Sequence, residues 1–134
     1  MNKVFVSGGG RYGESSLLTK YGYETVPNIE QADIVLFTGG ADVTPELYGH
    51  PSHALTYPSE YRDKEDSLSY QYAVATDKIL FGICRGAQFL CIMAGGKLIQ
   101  DCSGHTISHD IVMKSTGELI HVTSAHHQML IPPK

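Results

Sequence analysis

The five residues Gly82-Ile83-Cys84-Arg85-Gly86 restrict the fold more than any other stretch of the chain. They join an apolar run, Lys78 to Ile83, to a segment, Arg85 to Ala94, that stops at Gly95-Gly96, so a buried strand is expected to pass directly into a helix. A glycine two positions before and two positions after the central residue is the G-x-nucleophile-x-G pattern of a very sharp strand-to-helix turn. At such a turn the two backbones approach so closely that flanking side chains would collide, which is the steric reason for Gly82 and Gly86. The central residue stands at a helix N-terminus, where unpaired amides and the helix dipole favour thiolate over thiol. Cys84 is therefore read as a reactive nucleophile, whereas Cys91 and Cys102 are read as the small buried apolar residues that most free cysteines are. The amide of Arg85 would point into the same space as an oxyanion donor, and the Gly39-Gly40 turn would supply a second donor.

The rest of the chain alternates strand and helix around this elbow. Lys3 to Ser7 reads as a first strand and Ser15 to Tyr21 as a short helix. Ala32 to Thr38 is a continuous apolar run ending at Gly39-Gly40, the pattern of a strand buried on both faces of a parallel sheet. The polar stretch from Ala41 to Glu60, with Pro45, Pro51, Pro58, His50 and His53, is long enough to be a functional loop. From Tyr61 to Asp77, apolar Tyr61, Leu68, Tyr72 and Ala75 fall at helical spacing, and Asp63, Glu65 and Asp66 sit where the helix dipole favours negative charge. Lys97 to Gln100 reads as a short strand, and Asp110 to Lys114 with Leu119 to Thr123 as a hairpin turned at Ser115-Thr116-Gly117.

Composition narrows the function. A chain of 134 residues with 42% hydrophobic and 18% charged residues fits one soluble domain. The net charge of -4 and the lack of any Lys/Arg cluster argue against nucleic acid as a partner. The start, Met1 to Gly8, has only three apolar residues in a row, too few for a signal peptide or a membrane span, so a cytoplasmic location without membrane attachment is expected. Gly8-Gly9-Gly10-Arg11-Tyr12-Gly13 satisfies G-x-G-x-x-G, but Asp33 precedes its strand instead of ending it, which speaks against a dinucleotide site. Cys102, His105 and His109 lack metal-ligand spacing, and His50, His53 and His121 read as surface or strand residues.

Several separated segments resemble the class I glutamine amidotransferase-like superfamily, and in particular its γ-glutamyl hydrolase branch, which includes γ-glutamyl-γ-aminobutyrate hydrolases. Thr38-Gly39-Gly40-Ala41-Asp42-Val43-Thr44-Pro45 with Leu47-Tyr48-Gly49 is similar to that branch's Gly-Gly-x-Asp-Val-x-Pro-x-Leu-Tyr-Gly element, and Arg62-Asp63 with Glu65 to its Arg-Asp helix start. Gly82 to Gln88 followed by Gly95 to Asp101 resembles the elbow, helix and following strand, and Val122-Thr123-Ser124-Ala125-His126-His127-Gln128 resembles the Val-Asn-Ser-x-His-His-Gln element.

The resemblance implies a flavodoxin-like three-layer α/β sandwich with a mostly parallel sheet, of which residues 1–134 would form the N-terminal and central part. It implies cysteine-dependent hydrolysis of a small γ-glutamyl amide through a thioester on Cys84, without metal or organic cofactor. Gly39, Gly40 and Arg85 map to the oxyanion region, and Gln88, Gly86, Asp42 and Gln128 to the substrate region. The family's catalytic His and Glu lie in a His-Pro-Glu motif beyond the His-His-Gln element, and residues 1–134 hold no such motif. His126 or His127 could stand in as the proton-transferring imidazole. The alternatives are an inactive binding module or an amidotransferase subunit. A homo-oligomer or a partner chain is expected over an uncovered sheet edge.

Overall fold

The computed structural model describes residues 2–8 and 13–134. Arg11 and the middle of the Gly8–Gly13 glycine motif lie outside the described residues. Four strands, β1 (Lys3–Ser7), β2 (Glu24–Thr25), β3 (Ile34–Phe37) and β4 (Ile79–Gly82), form one parallel sheet in the order β2-β1-β3-β4. The register pairs Val4 with Ile34 and Ile34 with Ile79, so alternate residues of three strands share a face. The connections supply three helices, α1 (Glu14–Lys20), α2 (Glu60–Ala75) and α3 (Arg85–Met93). This is the mixed α/β architecture with a parallel sheet expected from the alternating pattern.

One face of the sheet carries the core. Val35 and Phe37 of β3, Ala73 of α2, Phe89 and Ile92 of α3, Leu98, Val43 and Tyr48 form a single buried cluster. Phe37 and Phe89 are fully buried with ring centroids 5.4 Å apart, and Tyr70 meets Phe89 edge-on at 6.3 Å. Each such buried aromatic side chain stabilises the fold by about 1.5–3 kcal/mol, so these contacts fix α2 and α3 on the sheet and with them the elbow.

Two sequence expectations are corrected. The apolar set expected to bury α2 faces outward: Tyr61 and Leu68 are exposed, and Asp63, Asp66 and Ala73 are the buried residues. The helix turns carboxylates inward because a buried guanidinium, described below, needs counter-ions. Strand β4 is not buried on both faces, since it is an edge strand whose Ile79 and Phe81 remain exposed. The short strand expected at Lys97 to Gln100 is present as β5 (Lys97–Ile99), and it pairs antiparallel with β8 (Met129–Ile131).

The remaining elements follow the sequence pattern. β6 (His109–Val112) and β7 (Leu119–Val122) form the expected antiparallel hairpin, and a single-turn 3-10 segment at Pro45–Tyr48 punctuates the long loop. Among the described residues no helix is long and apolar enough to cross a membrane.

Candidate active site

The elbow is built as the glycine spacing requires. Cys84 has φ 53° and ψ -116°, a left-handed conformation that costs a side-chain-bearing residue about 1–3 kcal/mol, and it is exposed. A Cβ on Gly86 would lie 2.0 Å from the Phe37 carbonyl oxygen, and one on Gly82 would lie 2.5 Å from the Gly86 carbonyl carbon. Neither position accepts a side chain. The ladder runs past β4, with the Ile83 amide donating to the Phe37 carbonyl at 2.9 Å. The amide of Gly86 donates to Ile83, and those of Ala87 and Gln88 to the Cys84 carbonyl. The Arg85 amide has no backbone acceptor among the described residues, and it belongs to the first turn of the helix that carries the thiol.

Beneath the thiol lies an ionic cluster that joins three elements. The Arg85 side chain is 1% exposed and pairs with both Asp63 and Asp66 of α2, and Arg62 Nε donates to Asp66 at 3.0 Å. Arg62 also donates to the Thr38 hydroxyl at 3.0 Å and to the Gly39 carbonyl at 3.2 Å. Asp63 accepts from the Thr44 amide at 2.9 Å, and Asp66 accepts from the Ser7 hydroxyl at 2.6 Å. The cluster therefore holds α2, the elbow and the Thr38–Thr44 turn in one frame. Gly40, at φ 150°, takes a conformation that L side chains rarely adopt. The Arg62-Asp63 pair was visible in the sequence as a motif, but its role as the anchor of Arg85 was not.

A cavity of about 310 Å³ opens over the elbow, lined by Gly40, Ala41, Asp42, Tyr57, Cys84, Arg85, Gln88, Ala125, His126 and His127. Segments up to 87 residues apart in sequence, Gly40 and His127, thus meet on one wall. Gly39, Gly86 and Gln128 do not line this cavity. Gly39 borders a larger neighbouring cavity, of about 810 Å³, that shares Gly40 and Ala41. Gly86 faces β3, and its amide is bonded within the elbow, so it shapes the turn and has no donor left for substrate. Gln128 is buried: its side chain donates to the Gln100 carbonyl at 3.3 Å and its carbonyl accepts from Gln88 Nε2 at 3.2 Å. It orients Gln88 from behind the wall.

The two histidines are held differently. His127 Nε2 is 3.2 Å from both carboxylate oxygens of Asp42, and its Nδ1 is 3.6 Å from Asp101. His126 Nδ1 is 2.9 Å from the Gln128 carbonyl oxygen, and its ring lies 5.1 Å from that of His105. Tyr57 lay in no motif, and Asp101 closed the Gly95 to Asp101 segment without a site role of its own. The Tyr57 amide donates to Asp42 Oδ2 at 2.9 Å, which fixes the carboxylate facing His127.

The other two cysteines differ from Cys84. Each is part-buried, and burial pushes both the Cys91 and the Cys102 thiol upward. Cys91 Sγ donates to the Ile131 carbonyl at 3.5 Å and Cys102 Sγ to the His127 carbonyl at 3.2 Å, both packing roles. Among the described residues no three His, Cys, Asp or Glu side chains gather as a metal set.

The profile of the family described as Peptidase C26 matches residues 23–132. The chain belongs to the peptidase C26 family. This places it in the class I glutamine amidotransferase-like superfamily, to which its relatives also point. A glutamine amidotransferase-like protein of Lactococcus lactis, YvdE, is 40% identical over 72 residues, covering 53% of this chain and 30% of YvdE. Protein NtpR of Enterococcus hirae is 36% identical over 74 residues, covering 54% of this chain and 31% of NtpR. The matched segment thus spans about a third of the length of these relatives.

Two solved structures share the fold of this C26 chain. The crystal structure of SMU.1228c superposes with a TM-score of 0.63 at 15% identity, over 99% of this chain and 64% of that one. A glutamine amido transferase of Methylobacillus flagellatus superposes with a TM-score of 0.58 at 14% identity, over 98% and 57%.

Proposed function

We propose that this C26 chain carries the nucleophile and oxyanion region of a γ-glutamyl amide hydrolase. The observation that carries the reading is an exposed thiol in a left-handed conformation at the first turn of α3, facing a cavity that also holds two histidines. Cys84 sulfur attacks the γ-carbonyl carbon, and the developing oxyanion accepts from the Arg85 amide and from the Gly39–Gly40 turn. The amine leaves with a proton, and water then cleaves the thioester to release the γ-carboxylate. Gln88 and Asp42, both on the cavity wall, supply polar contacts to the glutamyl portion. Family membership supports acyl transfer from an amide as the reaction type, and no cofactor is called for by this chemistry.

The proposal includes a cytoplasmic location and a covering partner, either a second copy or another polypeptide. Exposed Ile79, Phe81 and Ile83 beside Leu17 and Tyr21 support the latter, because an apolar groove of this kind is normally buried. The test is turnover of γ-glutamyl-p-nitroanilide and of glutamine by the protein and by its Cys84→Ala variant. Release of p-nitroaniline or ammonia that vanishes in the variant supports the reading. Unmodified Cys84 after exposure to 6-diazo-5-oxo-norleucine, together with no turnover, overturns it.

A further inference from the structure

Arg62 gathers the last carbonyls of two neighbouring strands. Its Nη2 lies 3.4 Å from the Ser7 carbonyl oxygen at the end of β1 and 3.3 Å from that of Thr38, just after β3. Its Nη1 donates to the Gly39 carbonyl at 3.2 Å. Nε donates to Asp66 and Nη2 to the Thr38 hydroxyl, both at 3.0 Å, so the planar fork is fixed in its own orientation. Glycines make room for it. A Cβ on Gly8 would lie 2.2 Å from Arg62 Cζ, and one on Gly40 would lie 3.2 Å from Arg62 Nη1 and 3.7 Å from Arg85 Cδ. Gly40 is thus pressed against the ionic cluster on one side while it lines the Cys84 cavity.

Fixing a carbonyl fixes the amide that shares its peptide. The Gly39–Gly40 bond is trans, and in a planar trans peptide the C=O and N–H point in opposite directions. With the Gly39 oxygen drawn to Arg62, the Gly40 N–H is turned away from the guanidinium, and it has no backbone acceptor among the described residues. A cation bonded to the carbonyl also polarises the peptide, which makes its N–H a stronger donor. Between two glycines this peptide has little steric preference of its own, so its direction comes from outside the turn.

We infer that Arg62 is a positioning residue for the oxyanion site: by holding the Gly39 carbonyl it aims the Gly40 amide at the oxygen of the tetrahedral adduct formed on Cys84. This rests on the reading of Cys84 as the nucleophile of an acyl transfer. Without the guanidinium the Gly39 oxygen has no other donor among the described residues. Turning the peptide over lets that oxygen meet water in the cavity, and it then stands where the oxyanion must form. A donor is replaced by a repelling dipole.

The test is Arg62→Met, which keeps an unbranched stem and removes the donors. Two rates are compared: release of p-nitroaniline from γ-glutamyl-p-nitroanilide, which passes through an oxyanion, and alkylation of Cys84 by iodoacetamide, which forms none. Removing one oxyanion donor costs about 10²–10³-fold in kcat. Turnover is therefore expected to fall by roughly 10²-fold or more with KM within about threefold, while alkylation stays within about twofold of the parent rate. A merely structural role slows both rates together, and that result overturns the inference, as does unchanged turnover. The second readout needs no turnover. A crystal structure of Arg62→Met is expected to show the Gly39 carbonyl turned into the Cys84 cavity, and a carbonyl directed as in the parent protein overturns the inference. If the parent protein releases no p-nitroaniline, the hydrolase reading fails, and the peptide's direction in the variant still decides whether Arg62 sets it. Where Arg62→Met does not fold, Arg62→Lys is read in the same way: it keeps a charge for Asp66 but lacks the fork that reaches Asp66 and Gly39 together, so turnover is expected to fall by about tenfold or more.

Discussion

Replacing Arg85 by methionine probes the ionic cluster that fixes the elbow. The side chain is 1% exposed, and its two partners, Asp63 and Asp66, are 5% and 0% exposed. Methionine keeps the length and removes the charge, leaving Asp66 with Arg62, itself already bonded to Thr38 and Gly39, and Asp63 with the Thr44 amide in place of a cation. Breaking a buried ion pair by removing one partner costs about 3–5 kcal/mol. For a domain of this size each kcal/mol lowers Tm by roughly 3–5 °C, so a fall of roughly 9–25 °C is expected for Arg85→Met. Urea unfolding followed by far-UV circular dichroism measures the loss. The triple variant Arg85→Met, Asp63→Asn, Asp66→Asn removes the stranded charges and is expected to recover about half of it, because an apolar or neutral replacement of a whole buried pair is often close to neutral. A loss under about 1 kcal/mol for the single change, or no recovery in the triple variant, would falsify the claim that Arg85 acts as a buried countercharge.

Gly86→Ala places a methyl 2.0 Å from the Phe37 carbonyl oxygen, so the strand and helix must separate. A destabilisation of at least about 2 kcal/mol is expected in urea, together with loss of Cys84 labelling, and a variant that matches the parent protein in both would refute the close-approach argument. Cys84→Gly relieves the left-handed strain at φ 53° and is expected to raise stability by about 1 kcal/mol while abolishing turnover; a lower midpoint in urea would count against stored strain. The phenol of Tyr48 is pushed up to about 12, first by burial and then by Asp42, Glu46 and Asp63. Its folded value exceeds the unfolded one, so the stability it contributes is complete below pH 10 and is lost as pH rises through about 12. Absorbance titration near 295 nm should show a late ionisation step that is absent in Tyr48→Phe, and a late step that survives this change would assign it elsewhere.

The elbow was legible because its cause is local. Two glycines flanking a cysteine between an apolar run and a helical one mean the same steric event in any chain, and Gly82, Cys84 and Gly86 take the positions that spacing requires. The parallel sheet followed for a similar reason, since continuous apolar runs separated by helices have few other ways to bury themselves. The face that α2 turns inward was not legible. Hydrophobic periodicity selected Tyr61 and Leu68, but tertiary structure buries Asp63 and Asp66, because Arg85 arrives from a distant segment and its charge must be met.

The antiparallel pairing of β5 with β8 and the exposure of β4 depend on which strands meet, a non-local choice that short apolar runs do not encode. The two histidines show the same limit most sharply. Sequence places His126 and His127 side by side as interchangeable imidazoles, and only the folded chain gives one a backbone carbonyl and the other two carboxylates. Backbone sterics and periodicity act over a few residues and are written in the chain itself. The counter-ions of Arg85 and the carboxylates facing His127 are supplied by segments 19 to 85 residues away, so the fold alone assigns them.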